Sequence, residues 1–397
     1  MATADVGNGA AFVAADRVDA RLSLWPAPRY ITEVFDGADE ALAALEAVQG
    51  GLVSTGFQTL DWLTVFYEEL APSRRAMPRL VVVTESNSGE VALILPLLVQ
   101  KKRRRTVARF ANLGAGGYGG PILGPSLPER QRSIRRIWRS VLGAMSDIDL
   151  IRLDRMPAEI GGRPNPLLTR WGIVPSRCSG NLVTVPESVD TYLHERGKKY
   201  RKEVERCYRL WEKEGAPRFY RAETPGEAAH VYAVLEEQLT PRHGATGGKR
   251  ILDEPAYRTF GERLAIDGSD AGLASLFALE ANGEIVATLF GIVHEDTFTM
   301  LHLGTGETWG HLSPGRLVMI EAMKHFVARG VRRFDLGLGE HPFKHGFGVE
   351  QVPLYDLIVA RDLAAVPRAI YHLLEGRLRK SARLKSAYRL LKSHFTR

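Results

Sequence analysis

Cysteine is scarce: Cys178 and Cys207 are the only two in 397 residues. They stand far apart and without metal-ligand spacing, which argues against a disulfide framework or a cysteine metal cluster and for a reducing compartment. Long apolar runs are missing too. No stretch approaches about 18 consecutive apolar residues, so no segment reads as a membrane span. The first 25 residues have no apolar core behind positive charge, and they read as a loose tail instead of a signal peptide. The G-x-S-x-G elbow of serine hydrolases does not occur. Acids are outnumbered, 46 against 53 lysines and arginines, and the net charge of +7 suits a partner or substrate carrying phosphate or carboxylate. Glycine and proline, by contrast, are scattered through a chain of ordinary apolar content. That is the composition of a globular protein, and its length asks for two domains.

Along the first half, Ile31–Phe35 reads as a strand and Asp39–Val48 as a helix. Thr59–Leu70 is a second amphipathic helix, with Trp62, Leu63, Phe66 and Leu70 at helical spacing. Strands follow at Arg79–Thr84, Glu90–Val99 and Thr106–Asn112. The run Lys101–Arg105 between the last two reads as a solvated hairpin turn that discourages edge pairing. Gly114, Gly116 and Gly119 spell G-x-G-x-x-G after a strand, but GPILGP follows where a dinucleotide site needs a helix to open. The dinucleotide reading is therefore rejected in favour of a mobile loop lining a cleft, with Tyr118 exposed. Pro128–Met145 is helical, Asp147–Asp154 alternates as a strand, and Gly180–Val185 reads as the last strand of this half.

Val189–Gly215 reads as one long basic helix with Leu193, Tyr200, Val204, Cys207 and Trp211 as its buried stripe. Its unbalanced end, Lys198, Lys199, Arg201 and Lys202, is a candidate phosphate contact. Helices at Pro225–Leu239 and Pro255–Ile266 flank a Gly-rich basic loop, Thr240–Arg250. Ser275–Ala281, Glu284–His294 and Thr297–Leu303 form a meander around the Asn282-Gly283 turn, and Asp356–Val359 completes that sheet. The chain closes with a basic helix or helix pair, Val366–Arg397. It either caps the fold or lies on an anionic membrane surface.

Gly310–Gly348 concentrates the candidate chemistry. Ser313 is placed as an N-cap, Pro314 occupies the first helical position, and Gly330 ends the helix. The N–H groups of Gly315, Arg316 and Leu317, with the helix dipole and the Arg316 side chain, favour an anion there. A strand follows at Val331–Leu338, and it runs out through Asp335, Gly337, Gly339, Glu340, His341, Lys344 and His345. The two histidines do not make a metal site: no third ligand is near, and Lys344 would repel a cation.

SPGRLVMIEAM followed by RRFDLGLGEHPFKHGFG resembles the C-terminal half of the GNAT-type acyltransferase domain of the CelD/BcsL class, which is related to the FemABX peptidyltransferases. The matching positions are Ser313, Pro314, Gly315, Phe334, Asp335, Leu336, Gly337, Gly339, Glu340, Phe343, Lys344, Phe347 and Gly348. GKKYRKEVERCYRLWEKEG, Gly197–Gly215, resembles the basic helix that opens that domain. The usual pyrophosphate loop of the family is not intact. The resemblance covers residues 185–362 and, more loosely, the half before it. It implies an α+β fold of two GNAT-like halves, a tandem acyl-CoA N-acyltransferase fold, each half a mixed, mostly antiparallel sheet flanked by helices. The expected division is a tail at 1–25, a degenerate GNAT-like domain at 26–185, the acyltransferase domain at 186–362 and a basic helical tail at 363–397.

The resemblance further implies an acyl donor lying between the strands Thr297–Leu303 and Val331–Leu338. Transfer from a thioester needs a nucleophile held close, a base and donors for the carbonyl oxygen. His302 and Asp335 are the candidate bases; Asp335 equally suits a structural acceptor for loop N–H groups. Lys344 and Glu340 are candidate oxyanion and substrate contacts. Ser313, Gly315, Arg316 and Leu317 would hold acetyl-CoA or another acyl-CoA, with no metal. Tyr118, Lys198, Lys199, Arg201 and Lys202 would meet a small-molecule or nucleotide-linked acceptor of the cell envelope or of a polysaccharide. Two other readings stand beside this one: a FemABX-like transferase using aminoacyl-tRNA, and a non-catalytic scaffold of exopolysaccharide synthesis. The expected location is the cytoplasm, with the basic tail as a route to the inner-membrane surface.

Overall fold

The computed structural model describes residues 29–48, 50–102, 105–169, 172–244, 254–339 and 341–361. The expected tails at 1–25 and 363–397, most of the Thr240–Arg250 loop, and Glu340 lie outside the described residues.

The first half runs β1 (Tyr30–Asp36), α1 (Ala38–Glu46), α2 (Leu60–Ser73), β2 (Met77–Glu85), β3 (Val91–Lys102), β4 (Arg105–Phe110) and β5 (Ile122–Leu123). Then come α3 (Gln131–Ala144), β6 (Leu150–Pro157), the small hairpin β7 (Glu159–Ile160) and β8 (Arg163–Pro164), and β9 (Ile173–Pro175). The first half ends with β10 (Gly180–Thr184), and the second opens with α4 (Val189–Glu195), α5 (Lys198–Lys213), β11 (Arg218–Arg221), α6 (Pro225–Gly244) and α7 (Pro255–Asp270). It continues through β12 (Ala274–Ala281), β13 (Glu284–His294), β14 (Thr297–Thr305), α8 (Pro314–Val327), β15 (Arg333–Asp335), α9 (Pro342–Gly346), β16 (Glu350–Val352) and β17 (Leu354–Ala360).

The two main sheets repeat one plan. In each, an antiparallel meander (β1-β2-β3-β4, then β11-β12-β13-β14) ends on a parallel pair, β4 with β6 and β14 with β15. Beyond each parallel pair, the next strand comes from the other half. β17 pairs with β6 in the first sheet, and β10 pairs with both β15 and β16 in the second. Gly180–Val185 therefore does not close the first sheet, and Asp356–Val359 does not complete the second. Alternation along a strand says which face is buried but not which neighbour supplies the hydrogen bonds. Here Asn181 decides: its Nδ2 donates to the Gly337 and Gly339 carbonyls at 2.6 and 2.8 Å, and its Oδ1 accepts from Gln351 at 2.8 Å.

Two further expectations are corrected. Val189–Gly215 is not one helix. It breaks at Gly197, whose φ of 88° suits glycine, and α5 starts afresh at Lys198. The strand expected at Val331–Leu338 pairs only over Arg333–Asp335, because Gly337 and Gly339 turn the chain at φ 76° and 80°.

One apolar core crosses both halves. Trp62 and Phe66 of α2 meet Phe260 of α7 edge-on, with ring centroids 5.2 and 6.1 Å apart. Thr59 starts α2 by accepting the Trp62 N–H, which turns that face of the helix toward α7. α8 packs on the other face of the second sheet, with Leu317, Val318, Met319, Ile320, Ala322 and Met323 fully buried. The two halves are thus held together by exchanged strands and by a shared core.

Candidate active site

β14 and β15 pair only through Thr297–Thr299 against Arg333–Asp335, and past that point they diverge. A bulge sits where β14 leaves its neighbour. Phe290 pairs with His302 but Gly291 with Met300, so Leu301 is an extra residue whose backbone groups fall out of the β13 ladder. The wedge opens into a cavity of about 950 Å³. Its walls are Met300–Leu303 of β14, the start of α8, the Asp335–Leu338 exit of β15, and Pro342–Lys344 of α9. Phe57, Tyr118 and Arg155 of the first half close it.

Asp335 is buried at the apex, only 3% exposed. The Gly337 N–H donates to its Oδ1 at 2.8 Å, the loop-acceptor role that the sequence allows. The hydroxyl of Tyr118 donates to Oδ2. Tyr118 is therefore not exposed on a cleft loop; it reaches from the first half into the second. Three features aim it. Its ring stands edge-on to Phe57 at 6.0 Å. Arg155 holds the loop by donating to the Gly116 carbonyl at 3.0 Å and to the Asn112 side chain. Gly180 lies beneath the hydroxyl, where any Cβ would collide with it. Burial pushes the Asp335 carboxyl above the ordinary carboxylate range, although the Tyr118, Gly337 and Asn181 hydrogen bonds and the Lys344 charge pull it down. Burial, and then the charge of Asp335, push the Tyr118 phenol well above its usual value.

The other sequence candidates divide. His302 lines the cavity, its ring stacked nearly parallel to Phe290 at 6.4 Å. Lys344 is buried, and its Nζ donates to the carbonyls of Gly337, Leu338 and Gly339 at 3.1, 2.9 and 3.1 Å. An ammonium has three donors, and all are engaged. In this geometry Lys344 clamps the turn and is not an oxyanion contact. Burial lowers its pKa, with Asp335 opposing. Glu340 lies outside the described residues.

At α8, Ser313 occupies the cap position, but its backbone is left-handed, φ 51°, and its side chain makes no capping bond. Gly315 lines the cavity, yet a Cβ there would stand 3.2 Å from the Thr305 methyl and 3.3 Å from Leu303. Glycine at this position serves the packing of helix on strand. Arg316 reaches the cavity edge, but its guanidinium pairs with Glu203 of α5 at 3.3 Å and lies over the Tyr200 ring. Leu317 is fully buried core and donates its N–H back to Ser313, so it has nothing to offer a ligand. Within α8, geometry leaves the Gly315 N–H without an intrahelical acceptor. Lys198, Lys199 and Lys202 are exposed, and Arg201 is tied to His194 at 2.7 Å and Glu205 at 3.4 Å; none of the four lines the cavity. Sequence reasoning missed Phe57, Arg155, Gly180 and Asn181. Each acts through a neighbour far away in the chain, and no local pattern marks them.

Two mixed sheets of repeated plan, each with a central parallel pair and the second opening into a wedge there, make this an α+β protein of two GNAT-like halves. Residues 198–345 match the acetyltransferase (GNAT) domain family. No curated protein matches the sequence. Among solved structures the chain is similar to FemX, at 13% identity over 85% of this chain and 98% of that one, with a TM-score of 0.56. It is also similar to a tandem GNAT protein from the clavulanic acid biosynthesis pathway, crystallised without AcCoA, at 13% identity over 83% and 98% and a TM-score of 0.44. A third similar structure is L-PGS from Bacillus licheniformis, at 14% identity over 85% and 95% and a TM-score of 0.48. At 13% identity the likeness to FemX is one of fold.

Proposed function

We propose that this chain is an acyltransferase of the CelD/BcsL type, moving an acyl group from acyl-CoA to an amine or hydroxyl of a small or nucleotide-linked acceptor. The match of residues 198–345 to an acetyltransferase domain supports the reaction class. The observation that carries the reading is the wedge between β14 and β15, which leads to the buried Tyr118–Asp335 pair. The residues present suit the donor: a cavity of about 950 Å³, a helix start at Pro314–Arg316 on its wall, and unladdered backbone at the Leu301 bulge. When bound, the CoA thioester supplies the activated carbonyl.

The roles of the chain's own residues follow. Backbone N–H groups near Leu301 donate to the carbonyl oxygen as it gains charge. Tyr118 takes the proton of the attacking N–H or O–H while passing its own to Asp335, and the raised carboxyl suits Asp335 to accept it. A C–N or C–O bond forms, the C–S bond breaks with its electron pair on sulfur, and the relayed proton leaves as the thiol is restored. Tyr118 acts on substrate; Asp335 acts through it. His302 is the second candidate for the proton.

Calorimetric titration with CoA, paired with a thiol-release assay on acetyl-CoA, tests the proposal. Binding with saturable thiol release is the expected result. No heat at millimolar CoA overturns it. In that case salt-sensitive binding of aminoacyl-tRNA, lost when Lys198, Lys199 and Lys202 are changed to Glu, would establish the FemABX-like reading.

A further inference from the structure

α3 carries no acid, and its arginines fall on one side of it. Arg132, Arg135, Arg136 and Arg139 stand at i, i+3, i+4 and i+7, and all four are exposed. At the rise of a helix they form a stripe about 10 Å long. Among the described residues none of the four side chains meets an acid or makes a hydrogen bond. Arginines on other helices differ: Arg206 of α5 meets Glu203 at 2.8 Å, and Arg263 of α7 meets Glu68 and Glu69 at 2.7 Å.

The arrangement costs the helix stability. Like charges one turn apart repel. Arg132 lies in the first turn, where the dipole disfavours a cation, and no side chain caps that end. The packing of α3 does not call for these residues, because its other face supplies it: Ile137, Trp138 and Val141 are buried in one cluster with Val81, Leu93 and Ile151. Along β2, Val81 and Val83 face α3, while Leu80 and Val82 join the core shared with α7. α3 thus lies on the side of the first sheet away from the second half, and none of its residues lines the cavity.

More positive charge gathers at the C-terminal end of α3. The exposed Lys101 and Lys102, on the β3–β4 hairpin, stand near it, where Asp149 accepts the Thr106 N–H at 2.7 Å. Arg361 donates to the Leu142 and Met145 carbonyls of the same end, and the basic stretch Arg377–Lys392 follows it in the sequence.

We propose that α3 is the face by which the protein adsorbs to a surface of anionic phospholipid. Guanidinium groups in a line, with no acid among them, match a plane of phosphates, and each basic residue near such a surface raises affinity about fivefold. The apolar face of α3 is already buried in the core and cannot insert, so the attachment is electrostatic and reversible. A nucleic acid fits less well: Trp138 is buried, and no aromatic stands in the stripe for a base to stack on. The proposal does not depend on the acyltransferase reading.

Flotation of the full-length protein with vesicles tests this. Binding is expected to phosphatidylcholine vesicles carrying about 30% phosphatidylglycerol, not to phosphatidylcholine alone, and to be lost at about 0.5 M salt. Arg132→Gln, Arg135→Gln, Arg136→Gln and Arg139→Gln together should weaken it at least about tenfold, and Arg135→Gln with Arg139→Gln at least about threefold. Lysine at all four positions keeps the charge and should keep binding within about threefold. Lys198→Gln, Lys199→Gln and Lys202→Gln, on α5, should leave it within about twofold. Binding indifferent to the Gln variants of α3, equal loss in the α5 variant, or loss in the lysine variant would overturn the proposal. So would an absence of vesicle binding; salt-sensitive binding of tRNA, lost in the fourfold Gln variant, would then give the stripe to nucleic acid.

Discussion

Tyr118 and Asp335 come from different halves of the chain, and neither performs its part alone. Asp335→Asn keeps an oxygen for the Tyr118 hydroxyl to donate to but removes the proton acceptor. Thiol release should fall by about 10²–10⁴, and CoA affinity should hold. Tyr118→Phe should act in the same direction. The sign of the pH dependence follows from burial: with the carboxyl raised, activity should fall as the pH drops through a value above the ordinary carboxylate range. In Asp335→Asn that acidic limb should vanish, and a kcat/KM profile checks both. Lys344 belongs to stability. Lys344→Met leaves three inward carbonyls without their donor, at a cost on the order of 3 kcal/mol. Urea unfolding should show that loss; an unchanged midpoint with lost activity would return Lys344 to the reaction.

At the scale of elements, α8 does two jobs: its first turn borders the cavity and its last turn closes the core. His325, in that last turn, stands edge-on to Phe277 with ring centroids 5.2 Å apart. Burial, with Arg329 and Arg221 adding to it, lowers its pKa to about 4. The unfolded chain then binds the proton first, near pH 6.5. Stability should be intact above that value and decline as the pH falls toward about 4, by about 1–3 kcal/mol once solvent screening of a half-exposed ring is allowed for. Replacing His325 with Gln should flatten the decline between pH 6.5 and 4, as read by urea midpoints. Gly315 belongs at this scale as well. Its methylene faces Thr305 and Leu303, so a bulkier residue would push α8 off β14 and lower the melting temperature as well as affecting any ligand.

For the whole molecule, the exchanged strands matter most. β17 lies inside the first sheet between β6 and β9, and β10 lies inside the second between β15 and β16. A fragment spanning 186–362 lacks β10 and carries β17 with no sheet to join. It should not unfold cooperatively, whereas the full chain should melt in one transition. Calorimetry decides, and a fragment with its own sharp transition would restore the division near residue 185. The domain boundaries expected from sequence are thus open to a direct test.

What the sequence determined by itself is the local part. Helical spacing at Trp62, Leu63, Phe66 and Leu70, the Asn282-Gly283 turn, and the positions of the meander strands all follow from neighbours a few residues apart, and the structure has them. So does the stretch that holds Asp335 and the start of α8. The tertiary structure alone decided what these residues do. It turned Lys344 from a substrate contact into a clamp, engaged Arg316 with Glu203, sent Leu317 into the core, and brought Tyr118 to Asp335. The reason is physical. Periodicity and capping act over one or two turns and are written in adjacent letters. A hydrogen bond between residues 118 and 335, with room for it left by a glycine at 180, exists only once two sheets have exchanged strands and packed.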